Sequence, residues 1–276
     1  MIVTVCSTKG GVGKTTLTAN LGGLLADAGY RVLMVDADVQ PTLSSYYPIE
    51  RRAKFGLHHL LTQGTLEEAV SATSIPGLDV VVSDDPEGAL ENWILHTPDG
   101  RVRLRHALRA RPHGYDLVLV DTQGAVGPLQ DAGVLAADVL LSPVPPEILS
   151  AREFSRGLLA MLERLRPMAH LGAPVGHLYA VIYRMDRTVD ARRIADGLRA
   201  AAFADAPGAV TILETVVPAA VAWREAATAR VPVHRWASRR RGHEAAERLI
   251  ALARELLPHM DLSVSTETAI PGRNVS

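Results

Sequence analysis

Residues 9–16 read Lys-Gly-Gly-Val-Gly-Lys-Thr-Thr, and Lys9 and Lys14 are two of only three lysines in the chain, Lys54 being the third. Arginine supplies positive charge everywhere else. A chain that avoids lysine yet sets two of them five residues apart calls for a compact, rotatable ammonium there, a point charge suited to phosphates held in a tight backbone cradle. The flanks agree. Ile2 to Cys6 is a short apolar run rich in β-branched residues, predicted as a buried strand, and Ser7 to Gly13 is a glycine-rich turn. Thr15 to Ala28 carries Leu17, Leu21, Leu24, Leu25 and Ala28 at helical spacing and stops at Gly29. Strand, glycine turn and helix start make an anion site, because backbone N–H groups point inward and the helix dipole adds partial positive charge.

This is the arrangement of a P-loop. In it Lys14 reaches the β- and γ-phosphates of a nucleotide and the Thr15 hydroxyl ligates Mg²⁺. The general pattern places glycine where this chain has Thr8, and this chain adds Lys9. The segment therefore resembles the deviant Walker A box of the ParA/MinD ATPases. Arg31 to Val35 is predicted as a second strand, and the Asp36-Ala37-Asp38-Val39-Gln40-Pro41 after it is similar to the family's Asp-x-Asp-Pro-Gln segment, with Val39 in place of proline. Tyr115 to Val120 is predicted as a third strand, and Asp121 at its end resembles a Walker B aspartate. Thr122-Gln123-Gly124 departs from the family's small-residue and proline pair. Asp138 to Val144 followed by Pro145-Pro146-Glu147, and Val217-Pro218 to Ala226 followed by Val231-Pro232-Val233, resemble the later strand and loops. Ala219 and Ala222 stand where arginines are usual, with Arg224 close by.

Bulk properties set the frame. A length of 276 residues with 47% hydrophobic content accommodates one large α/β domain. Predicted strands and helices alternate from Ile2 to about Leu257, which implies a doubly wound, mostly parallel sheet flanked by helices over 1–260, with 261–276 as a polar, flexible tail. Cys6 is the only cysteine, so no internal disulfide is available, and a lone thiolate argues against the iron–sulfur relatives of the fold. The chain has no long apolar span and no basic-then-apolar leader, from which a cytoplasmic location is expected, nucleoid-associated in the ATP-bound state. The net charge of −1 is uneven: residues 1–150 carry 11 basic and 17 acidic side chains, residues 151–260 carry 17 and 11. Such asymmetry can mark a surface that meets polyanions.

The resemblance implies a slow ATPase that partitions DNA. Gly10, Gly11, Val12 and Gly13 would offer backbone donors, Lys14 would hold the transferred phosphoryl group, and Thr16 would touch the α-phosphate. Thr15 would ligate Mg²⁺, with Asp36 and Asp121 holding it through waters. Asp38 would orient the attacking water, and Lys9 would reach the nucleotide of a second copy in a homodimer that sandwiches two ATP molecules. That dimer would bind double-stranded DNA without sequence preference and be released by a ParB-like partner, with a plasmid, mobile element or chromosome as cargo. The candidate DNA contacts are Arg184, Arg187, Arg224, Arg239, Arg240 and Arg241. Two alternatives stay open. A MinD-like membrane-cycling ATPase would need a C-terminal amphipathic stripe, which the tail after Pro258 lacks. A scaffold using ATP only for dimerisation would not need Asp38 and Asp121. The arginines of Arg101-Val102-Arg103-Leu104-Arg105 are expected on the wet face of a helix over 102–110, the adjacent His58 and His59 on a wet helix edge, and Trp93, Trp223 and Trp236 in packing.

Overall fold

The first strand, β1 (Ile2–Val5), is buried on both faces and lies deep in the sheet, between β6 (Leu117–Thr122) and β7 (Val139–Val144), parallel to both. The computed structural model describes residues 1–262 apart from 86, 111–113, 206–209 and 237–239, and only the backbone of 155, 201–205, 240 and 241. The remaining strands are β2 (Val32–Ala37), β3 (Ile49–Arg51), β4 (Val70–Thr73), β5 (Leu78–Val81), β8 (His177–Met185) and β9 (Val210–Pro218). The sheet order is β3-β4-β5-β2-β6-β1-β7-β8-β9. It is parallel except where β4 pairs antiparallel with β3 and β5. The expected doubly wound α/β domain is thus present, with an antiparallel edge.

Side chains of successive strand residues point to opposite faces. Val3 and Val5 therefore join one core with Leu17, Leu21, Leu24 and Leu25 of α1 (Lys14–Asp27), and with Leu249, Leu252 and Leu256 of α10 (Arg240–Leu256). Ile2 joins the opposite face, with α2 (Leu57–Gln63), α3 (Ala89–His96), α4 (Gly100–Arg109) and α5 (Pro128–Ala136). Cys6 packs on that same side beneath Phe154, Leu158 and Met161; burial pushes its thiol up to about 12, so it is an inert core residue. The chain then runs through α6 (Ile148–Glu153), one wide π-helical turn (Phe154–Leu158) and α7 (Leu159–Leu165), and onward to α8 (Val189–Asp205) and α9 (Val221–Thr228).

One expectation fails. The arginines of α4 do not share a wet face, because residues two apart on a helix point about 200° apart. Arg105 is buried, at 8% exposure, and its guanidinium donates to the carbonyls of Leu135, Ala136, Ala137 and Gly172. It closes the C-terminal end of α5, where carbonyls have no partner within the helix. Residues 263–276 of the expected tail lie outside the described residues.

Candidate active site

The site forms at the C-terminal ends of β1, β2 and β6, where an open parallel sheet exposes its crevice. Residues 7–13 leave β1 and turn into α1. Gly13 takes φ of 105°, a left-handed value that disfavours any side chain. A Cβ there would also lie 2.3 Å from the Tyr183 ring, so β8 packs directly on the loop. No side chain caps α1, which leaves its first N–H groups free to face an anion. Lys14 is buried, and that burial lowers the pKa of its ammonium, opposed by Asp121 and Asp38.

Asp36 and Asp121 are register partners on adjacent strands and both are fully buried. Asp36 Oδ2 accepts from the Ser44 backbone N–H (2.7 Å) and the Ser44 hydroxyl (2.6 Å). Asp36 Oδ1 and both oxygens of Asp121 are buried with no partner among the described residues. Burial pushes Asp36 up to about 7 and Asp121 up to about 8; at Asp121 the neighbouring Thr15 hydroxyl, though outside strict hydrogen-bond geometry, and Lys14 oppose the rise, and Asp36 adds to it. Orphaned carboxylate oxygens beside Thr15 fit a hydrated divalent cation, whose waters would satisfy them. Among the described residues there is no group of three or more His, Cys, Asp or Glu side chains placed to hold a metal ion.

Two adjoining cavities open over the loop. One, of about 480 Å³, is lined by Gly10, Gly11, Gly13, Lys14, Thr15, Asp38 and Gly124 among others. The other, of about 460 Å³, is lined by Tyr183, Ala219, Ala220, Trp223 and Arg224. Thr16 and Arg184 line both, so the two form one trough, polar and glycine-rich at one end and bounded by aromatic rings at the other. Trp223 is buried there with its Nε1 unpartnered. Asp38 stands at the rim: its Oδ1 accepts from the Gln40 N–H, and its carbonyl accepts from the Ser83 hydroxyl.

The departure at Thr122-Gln123-Gly124 has a structural basis. Thr122 donates to the Val5 carbonyl, Gln123 Nε2 to Glu91, and Gln130 Nε2 to the carbonyls of Ser7 and Gln123. The segment is thereby tied to the loop, and a Cβ on Gly124 would come within 2.6 Å of Gly10 Cα. Only glycine fits between these two backbones.

Lys9 does not line the trough. Its ammonium donates to Ser150 Oγ (2.9 Å) and pairs with Glu147 (3.4 Å) at the start of α6. The arginines separate. Arg184, inside β8 at φ of 58°, donates to the Gly11 carbonyl (2.7 Å). Arg224, on α9, lines the aromatic end of the trough. Arg187 is 92% exposed and lies 3.9 Å from Glu244 of α10, which puts it beside the first turns of that helix. Arg240 and Arg241 open α10; Arg239 lies outside the described residues. Motif spacing shows the charged loop residues but not Ser44 or Tyr183, which reach the site only through the sheet order; Arg184 and Trp223, expected at a DNA surface and in packing, line the trough.

Comparison with known proteins gives the family and the fold. A family model described as an AAA domain matches residues 1–170. Chromosome-partitioning ATPase Soj of Thermus thermophilus is 36% identical over 200 residues, 72% of this chain and 75% of its own length. Chromosome partitioning protein ParA of Caulobacter vibrioides is 34% identical over 169 residues, 60% of this chain and 63% of its own. Among solved structures, a Cyanothece McdA–ATP complex superposes with a TM-score of 0.78 at 19% identity, covering 92% of this chain and 95% of the other. With its loop, paired strand-end carboxylates and sheet order, the chain belongs to the ParA/MinD superfamily of P-loop ATPases.

Proposed function

We propose that this ATPase is a nucleotide-gated DNA-partitioning switch, in which two copies close face to face on two ATP molecules, bind DNA without sequence preference and part on hydrolysis stimulated by a ParB-like partner. The observation that carries the reading is the position of Lys9. Its ammonium points out of its own trough, on a half-exposed stem held at α6, while Lys14 already supplies the internal cation. A second lysine so placed serves a phosphate outside its own subunit.

The proposed parts follow the lining of the trough. Phosphates lie against the N–H groups of Gly10, Gly11, Val12 and Gly13, with Lys14 on the β- and γ-oxygens and Thr16 on the α-phosphate. The base lies at the aromatic end, against the wall that Ala219, Ala220 and Trp223 form. Thr15, with Asp36 and Asp121 behind a water layer, would hold Mg²⁺, which would supply positive charge against the developing charge of the phosphates. Asp38 at the rim orients a water in line with the γ-phosphorus; the new P–O bond forms as the bond to the bridging β-oxygen breaks. Lys9 must leave Glu147 and Ser150 to enter the partner's site, so closure of the dimer and release of this contact are one event.

The DNA face is proposed around Arg187 and the start of α10, with Arg240 and Arg241. Arg184 and Arg224 instead lie along the trough and fit a nucleotide role better than a DNA role. A mobility shift of double-stranded DNA with no nucleotide, ADP, ATP and a non-hydrolysable analogue tests the reading. Binding should require ATP or the analogue and fall steeply with salt. Binding that ignores the nucleotide would remove the switch.

A further inference from the structure

The helical run from Ile148 to Leu165 and the facing α8 enclose a groove of about 390 Å³ on the flank of the domain, away from the trough. Its floor is apolar: Ala151, Ile194 and Leu198, with Ile148 at one end, 53% exposed. Arg152 and Arg156, one turn apart on the run, and Arg193 on α8 form its rim. All three are exposed, and none has an ion-pair or hydrogen-bond partner among the described residues. Like charges at a spacing of four residues oppose the helix that carries them. Val189, 64% exposed, continues the apolar stripe one turn before Arg193.

We propose that this groove is the docking site for an acidic amphipathic helix of a partner protein, its apolar stripe on Ile148, Ile194 and Leu198 and its carboxylates on Arg152, Arg156 and Arg193. Two parallel ridges with an apolar floor accept a third helix. Three uncompensated guanidiniums at the rim select carboxylates, which they hold bidentately. An apolar floor gives nothing to a phosphate backbone, so the groove suits a peptide better than DNA. The same helical run reaches the loop. Ser150 and the preceding Glu147 hold Lys9, and a Cβ on Gly157 would lie 2.6 Å from Thr8 Oγ1, so the wide turn packs directly against the start of the loop. A helix seated on Arg152 and Arg156 therefore bears on the element that restrains Lys9. The site itself does not rest on the partition reading, because docking needs no nucleotide.

The test uses the full chain and a labelled synthetic helix of Leu, Ala and Glu, leucines in one stripe and glutamates on both flanks, beside a twin with Lys for Glu. Fluorescence anisotropy should show saturable binding of the acidic helix without nucleotide, no binding of the twin, and a loss of about tenfold or more in Arg152→Glu and Arg193→Glu. Arg152→Gln and Arg193→Gln, checked for native circular dichroism, give the same order should a charge reversal unfold the chain. No saturable binding, or equal binding of both helices, would overturn the proposal. So would a DNA duplex lost on these substitutions while the acidic helix stays unbound, or a fall in self-association in Ile194→Asp with no peptide effect, which would give the groove to a second copy.

Discussion

At the scale of single residues, charge burial sets the behaviour of the site. Asp36 and Asp121 are raised to about 7 and 8, above the roughly 4 of an unfolded aspartate. Between those values the folded chain holds protons that the unfolded chain has lost, so stability falls as pH rises from about 4 to 8. Thermal melting in a chelator should therefore give a higher midpoint at pH 6 than at pH 8, and Asp121→Asn should flatten the difference; equal midpoints in the wild type would contradict the assignment. Asp27 runs the other way. Burial opposes its ionisation, but hydrogen bonds from His234 and Arg235 hold it at about 2. Its contribution, on the order of 2 kcal/mol, is complete above about pH 4 and is lost as pH falls towards 2. Asp27→Asn should remove that part of the acid transition in urea titrations at pH 5 and pH 2. Arg184 holds a left-handed backbone that costs roughly 1 kcal/mol, offset by its bond to Gly11. Arg184→Ala should weaken ATP binding without DNA present, measured by calorimetry; unchanged nucleotide affinity with lost DNA binding would return Arg184 to the DNA surface.

At the scale of elements, β1, the loop and α1 are legible from residues 2–28 because a buried parallel strand and a helix with a leucine stripe follow local periodicity. So are β2, β6 and β7, whose apolar runs end at Asp36, Asp121 and Val144. The antiparallel edge is not. β3 has three residues and little burial, and the alternation in Val-Ser-Ala-Thr of β4 is too short to separate from a loop. The inward turn of Arg105 is invisible too, because its partners are carbonyls of α5, some 30 residues on. Arg105→Ala should cost about 1–3 kcal/mol by stranding those carbonyls, read as a lower urea midpoint, and Arg105→Lys should not restore it, since one ammonium cannot span the fork. An unchanged midpoint would show that water replaces the guanidinium at no cost.

At the scale of the whole molecule, the sequence shows which loop handles phosphate but not which face would meet DNA in the proposed switch. The charge imbalance between residues 1–150 and 151–260 is real, yet the second segment spreads its arginines over the trough, the flank groove, the start of α10 and separate pairs such as Arg164 with Asp131 and Arg235 with Asp27. Only folding sorts them. The proposed switch joins two such molecules through Lys9, whose present contacts with Glu147 and Ser150 must break for the pair to close. Asp38→Ala should stop hydrolysis and leave closed pairs to accumulate, while Lys9→Ala should bind ATP and stay single. Light scattering of Asp38→Ala with ATP and Mg²⁺, alone and combined with Lys9→Ala, is the most direct measurement. A mass of twice 29.6 kDa for the first and 29.6 kDa for the second is expected; the doubled mass in both, or in neither, would contradict a lysine that completes its neighbour's site.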